Sequence, residues 1–262
     1  KYLLQVSVVG VGFGISLDAV WRAGSTGLGT TLVTLLGTLA AGALLARWLA
    51  VERTAGQLIS AGTAICGGSA IAALGPVLGA NARAMSVALG CVFVLNAVGL
   101  FVFPVLGRWA GLTPEQFGWW AAIAIHDTSS VVGAAARFSP EALAVAVPVK
   151  LARALWILPL VAIAAWRMHR TGARATVPWF VLWFVVASAV ATLVPAGAEF
   201  YPWLVRAAKA GLAVTLFLIG AGLSREALRS VGWRPFALGG ALWLLISALS
   251  LLLVRGWGPG LS

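Results

Sequence analysis

The sequence predicts an all-α fold: a polytopic membrane helical bundle with inverted repeats and two interrupted helical segments, broken or re-entrant. Three observations carry that prediction. Hydrophobic residues make up 61% of the 262 positions and charged residues only 10%. A soluble domain carries about 45–50% and about 25%. The apolar excess falls into runs of roughly 20 residues, the length that crosses a bilayer as a helix. Two further apolar stretches carry polar, Gly-rich centres where a lipid-exposed backbone could not be satisfied.

Taken in order, the full runs lie near 2–20, 28–48, 82–106, 142–168, 178–197, 203–224 and 235–254. The interrupted stretches are 55–80, centred on CGGSA at 66–70, and 114–138, centred on HDTSS at 126–130. Each has about ten apolar residues on either side of its centre, half a crossing at about 1.5 Å per residue. Arg47 and Arg53 follow the second run, Arg167, Arg170 and Arg174 the 142–168 run, and Arg225, Arg229 and Arg234 the 203–224 run. Placing all three clusters in the cytoplasm is self-consistent. It leaves an 18–27 loop and the Glu199 loop outside. Two crossings or two re-entrant hairpins preserve that orientation equally, so both stay open. Most of the 13 Trp lie near run ends, as Trp48, Trp109, Trp203 and Trp233 do, and form an interfacial belt.

VGFGISLDAVWRAG (11–24) matches IGAGLSREALRSVG (219–232) at a constant offset of 208. Gly12, Gly14, Ser16 and Gly24 pair with Gly220, Gly222, Ser224 and Gly232. A weaker similarity links the two interrupted stretches, each followed by a full apolar run. Opposed copies of one unit give two pseudo-symmetric states opening to opposite sides, a transporter architecture.

The net charge of +11 would suggest nucleic acid in a soluble protein. Here the basic residues sit singly between apolar runs and set orientation. Cys66 and Cys91, the two cysteines, lie in apolar surroundings and suggest no disulfide framework.

Candidate function concentrates in the two interruptions. Cys66, Gly67, Gly68 and Ser69 form the first, and His126, Asp127, Thr128, Ser129 and Ser130 the second. Gly67 and Gly68 permit unusual backbone angles and close ligand approach. Half-helices starting after Gly68 and after Asp127 would aim free N–H groups at mid-membrane. Two such N-termini make an anion site. Asp127 is the one acid placed within the apolar depth, either functional or simply the cap of the following half-helix. His126 beside it titrates near neutral pH, and faces either the site or a vestibule. Lys150 and Arg153 share a helix face inside VPVKLARALWILP. Facing inward, they add positive charge beside the half-helix N-termini; otherwise they snorkel to the interface. Asn96, central in its run, suits a helix-to-helix hydrogen bond.

GTAICGGSAIAALGPVLGA (62–80) and AIAIHDTSSVVGAA (122–135) together resemble the YeiH-type family of sulfate exporters. The likeness extends through VKLARALWILPL (149–160) and GWRPFALGGALW (232–243). That family is grouped with cation–proton antiporters and anion transporters that share inverted repeats and broken helices. The resemblance implies a multi-pass protein of the bacterial inner membrane and secondary active transport of a small anion, sulfate or an organosulfonate, by alternating access. Its members extend further at the N-terminus, so residues 1–262 are expected to be one transmembrane transporter domain lacking N-terminal segments. Coupling would use a proton on Asp127 or His126. A cation–proton antiporter using Asp127 is the alternative, and an intramembrane enzyme using Cys66 or Ser129 with His126 a further one. Expected partners are a small anionic substrate, a coupling proton or sodium, the lipid bilayer and a second copy in a homodimer. No nucleic acid, cofactor or metal is expected.

Overall fold

The computed structural model describes residues 2–168, 179–221 and 232–256. Among them every regular element is helical. The elements are α1 (Tyr2–Gly12), α2 (Leu17–Trp48), α3 (Arg53–Ala64), α4 (Gly68–Leu78), α5 (Ala82–Trp109), α6 (Pro114–Ala124), α7 (Thr128–Phe138), α8 (Pro140–Ala154), α9 (Ile157–Arg167), α10 (Trp179–Leu193), α11 (Tyr201–Ala221) and α12 (Trp233–Gly256). Among the described residues four stretches are long and apolar enough to cross a membrane: Gly29–Trp48, Ala82–Trp109, Pro140–Arg167 and Trp233–Gly256.

Local chemistry explains the boundaries. Asn81 caps α5 by accepting from the Ala84 N–H at 2.7 Å. Thr113 and Gln116 form a reciprocal capping box at the start of α6, with Pro114 where its missing N–H costs nothing. Ser139 caps α8 ahead of Pro140. Gly79 closes α4 in the left-handed region, at φ 65°.

Both interrupted stretches turn back rather than cross. At the base of the first, Val51, Glu52 and Ala55 share the wall of one cavity of about 600 Å³ with Asn81, Arg83 and Ala84. A continuous helix would hold these two groups about 40 Å apart. At the base of the second, the rings of Phe117 and Phe138 stack with centroids 4.0 Å apart. Uninterrupted winding would separate them by about 30 Å. Arg108 Nη2 ties that base by donating to the Arg137 carbonyl at 2.6 Å. So α3–α4 and α6–α7 are re-entrant hairpins. The long helix α5 starts beside the first base and ends beside the second, so the hairpins enter from opposite faces. Each is followed by a long apolar stretch, α5 after the first and α8–α9 after the second.

Two apolar cores follow this plan. One surrounds the first hairpin with parts of α2, α5, α9 and α12. The other surrounds the second with parts of α1, α5, α8 and α10. Large apolar side chains such as Phe101, Val105, Leu244 and Leu252 point outward, as lipid contact requires. Trp48, Trp109 and Trp233 are exposed at helix ends. Arg47, Arg53, Arg83, Arg167 and Arg234 lie on the face of the first hairpin's base; Arg108, Arg137 and Arg255 lie on the other. By helix order Arg206 and Lys209, in the first half of α11, lie toward the second face too, so these bases divide evenly between the faces.

One expectation needs correction. The 18–27 stretch is not a loop but part of α2, because the chain turns earlier, at 13–16. Without a helix-breaking proline there, Ser16 and Leu17 start a helix that continues to Trp48. The expected 142–168 run is present as one spanning stretch, Pro140–Arg167, with an irregular turn at Leu155 and Trp156 between α8 and α9. The second copy of the 11–24 repeat falls mostly on 222–231, outside the described residues, as do Arg170, Arg174, Arg225 and Arg229.

Candidate functional site

The tips of the hairpins meet. At Gly67 a Cβ would lie 3.4 Å from His126 Cβ and 3.0 Å from a Val92 methyl, so the two interruptions are in van der Waals contact. Gly67 has φ 60° and ψ −121°, a conformation that L side chains rarely adopt. Here glycine is needed twice, for the angle and for the close approach.

Four half-helix ends therefore share one region: the C-termini of α3 and α6 and the N-termini of α4 and α7. The C-termini expose carbonyls with no partner along their own helix. Lys150 and Arg153 answer them. Lys150 is 0% exposed and its Nζ donates to the carbonyls of Ile65 at 3.1 Å, Ala122 at 3.3 Å and Ile125 at 2.8 Å. Three acceptors match the three N–H bonds of an ammonium group. Arg153, 1% exposed, donates from Nη2 to the Ala64 carbonyl at 2.6 Å and from Nη1 to Thr34 Oγ1 at 2.7 Å. Both bases face inward and neither snorkels. Their hydrogen bonds go to helix C-termini and to Thr34, not to the N-terminal ends where the sequence argument put their charge. The reason is electrostatic: a cation is most stable against the negative end of a helix.

The N-terminal ends differ from each other. Asp127 caps α7: its carboxylate accepts the Ser129 N–H at 3.1 Å and also the Ser129 hydroxyl. The capping role weighed from the sequence is thus its observed geometry. The N–H groups of His126 and Asp127 both donate to Asn96 Oδ1, at 3.0 and 3.2 Å. Asn96 joins a helix to the unwound backbone rather than to a second helix. At α4, by contrast, Gly67 supplies no side-chain cap. The Gly68, Ser69 and Ala70 N–H groups begin the helix with no carbonyl one turn earlier in α4 to reach. The Cys66 thiol lies against the Ala70 N–H and the Ser69 hydroxyl. Lys150 stands within electrostatic reach of Arg153, Cys66 and Asp127. One carboxylate thus accompanies two buried cations, and the α4 N-terminus, with no acid in its first turn, adds positive potential.

Burial at the tips is uneven. Cys66, Gly67, His126, Ser129 and Ser130 are buried, and Thr128 nearly so. Ser69 is exposed, and Gly68 and Asp127 are half-buried. His126 faces no vestibule; its ring is fully enclosed, and neither nitrogen has a hydrogen-bond partner. It therefore bonds to neither Cys66 nor Ser129. The cavity at the base of the first hairpin is lined by none of the residues predicted for the site. Among the described residues no cluster of three metal-ligating side chains occurs. Sequence reasoning missed Thr34, whose only signal was a hydroxyl in an apolar helix, and the carbonyls of Ala64, Ile65, Ala122 and Ile125, which carry no side-chain signal.

Residues 1–239 match the family described as conserved hypothetical protein 698. The chain is 47% identical over 253 residues to a UPF0324 membrane protein of Bacteroides thetaiotaomicron, covering 96% of this chain and 77% of that one. It is 46% identical to a UPF0324 membrane protein of Bdellovibrio bacteriovorus, covering 98% and 81%. A third relative, the UPF0324 membrane protein of Geobacter sulfurreducens, is 46% identical with 97% and 82% covered. No solved structure matches the chain.

Proposed function

From the premise that the chain belongs to the family of conserved hypothetical protein 698, the UPF0324 membrane proteins, we propose that it is a secondary transporter of a small anion. Transport would run by alternating access across the bacterial inner membrane, with sulfate or an organosulfonate as the substrate type. The observation that carries this reading is the contact of Gly67 with His126, tip to tip, between hairpins that enter from opposite faces. Irregular backbone at mid-depth is tolerated where it is buried in protein or lines a water-filled path. A site shared by two opposed units is one that either unit can uncover to its own side.

Charge favours an anion. Lys150 and Arg153 outnumber Asp127, and the first turn of α4 carries no acid. A cation–proton antiporter using Asp127 is the second reading, and the half-exposed carboxylate favours it. Against it stand the two buried cations, which repel a metal ion at short range. The enzyme alternative draws little support, because the Ser129 hydroxyl donates to Asp127 and His126 is bonded to neither nucleophile.

The test is flux in proteoliposomes under sulfate, methanesulfonate or sodium gradients, with and without a pH gradient. The anion reading predicts oxyanion flux without sodium–proton exchange. If a proton on Asp127 drives uptake, Asp127→Asn abolishes pH-gradient-driven flux and leaves anion binding detectable. Unchanged flux in that variant would remove Asp127 from the coupling.

A further inference from the structure

Asn96 stands in the middle of α5, 3% exposed, and its side chain is used on one side only. Its Oδ1 accepts two backbone N–H bonds, from His126 at 3.0 Å and Asp127 at 3.2 Å. Two donors aimed at one atom identify that atom as oxygen, which fixes which way the amide faces. Nδ2 is then held at a set position, and it is buried without a partner. The His126 ring, attached to one of the two backbone donors, is likewise buried with both nitrogens unpaired. Each such group has given up water without gaining a partner, which is costly.

The choice of amide is informative. A carboxylate at position 96 would accept the same two N–H groups more strongly, through charge-assisted bonds. What an aspartate cannot do is offer a donor. An amide at this point keeps the backbone anchor and adds N–H groups beside the paired hairpin tips.

We propose that Asn96 is a ligand-contacting residue: its Nδ2 donates to an oxygen of the bound oxyanion, beside the His126 ring. This rests on the anion reading and extends it by naming a recognition contact. The ligand class that follows is an oxyanion: the three Lys150 donors are already spent on protein carbonyls, which leaves the neutral Asn96 amide donors and the unpaired Arg153 Nε–H.

The test uses Asn96→Asp in the full chain, purified in detergent. Thermal shifts are read with sodium sulfate, sodium methanesulfonate and sodium acetate, against sodium chloride at matched ionic strength. Wild type is expected to be stabilised by at least one oxyanion. Asn96→Asp is expected to fold, since the two N–H anchors remain, and to bind that oxyanion at least about 10-fold more weakly, the scale of one hydrogen bond to a charged group. Asn96→Ser keeps a hydroxyl acceptor without the amide donors, and serves if the aspartate variant does not fold; the same weakening is expected. Full wild-type affinity in either folded variant overturns the Asn96 assignment alone. No shift of the wild type with any of the three oxyanions overturns the anion reading beneath it.

Discussion

Replacing Lys150 with Met tests the observation that its ammonium group holds the hairpin tips. Met is close in length and apolar, so it fills the same space without any donor. The change strands the carbonyls of Ile65, Ala122 and Ile125, which the ammonium contacts at 2.8–3.3 Å. A buried carbonyl left without a partner costs about 1–3 kcal/mol. Removing the buried charge returns part of its desolvation cost. A net loss of about 3–5 kcal/mol follows, in the range for breaking a buried charged contact. For a chain of this size that is a fall in Tm of about 6–20 °C, at about 2–4 °C per kcal/mol. The assay is tryptophan fluorescence during heating of the detergent-purified protein, which contains 13 Trp. If Lys150 instead served mainly as a ligand contact, Lys150→Met would keep its Tm within about 2 °C and lose only the oxyanion-induced shift. That result would refute the reasoning, because it would mean the three carbonyls do not need the ammonium group.

Gly67→Ala should cost about 1–3 kcal/mol, since the residue is held at φ 60° and its new methyl would press on Val92 and His126; Gly68→Ala, whose nearest neighbours are the Phe93 and Leu89 side chains, should lower Tm less. The hairpin topology predicts the labelling pattern of single cysteines introduced at exposed positions. Glu52→Cys and Asn81→Cys should react with a membrane-impermeant maleimide from one side, and Glu115→Cys and Arg137→Cys from the other. Labelling of either pair from two different sides would show a crossing in place of a hairpin. Cys66 and Cys91 are buried and should contribute little background.

Much of the candidate site was legible because its residues are expensive where they stand. Gly67, Gly68 and the run from His126 to Ser130 interrupt apolar sequence at half a membrane thickness. Lys150, Arg153 and Asp127 announce themselves in the same way, since a charge at that depth persists only with partners. The fold class followed from hydropathy alone. Less legible was the turn at 13–16, because VGFGIS is nearly as apolar as the helices beside it. The roles of Lys150 and Arg153 were read half correctly: inward-facing, but serving the opposite helix ends. Sequence reasoning weighed both termini of each half-helix by their side chains, whereas carbonyls define a C-terminus and every residue has one.

By itself, then, the sequence determined depth: which residues sit in hydrocarbon, where the helices must break, and which side chains need partners. These are local quantities, set by the transfer cost of each group and by glycine's backbone freedom. Only the tertiary structure decided direction and pairing. A break permits the chain to continue or to turn back, and the choice depends on contacts such as Phe117 with Phe138 that no local pattern encodes. The partner of Lys150 lies 85 residues earlier at Ile65, and the anchor of His126 lies 30 residues earlier at Asn96. Such bonds exist because the bundle brings distant backbone together in a solvent that cannot hydrogen-bond it, and each stranded group must find protein.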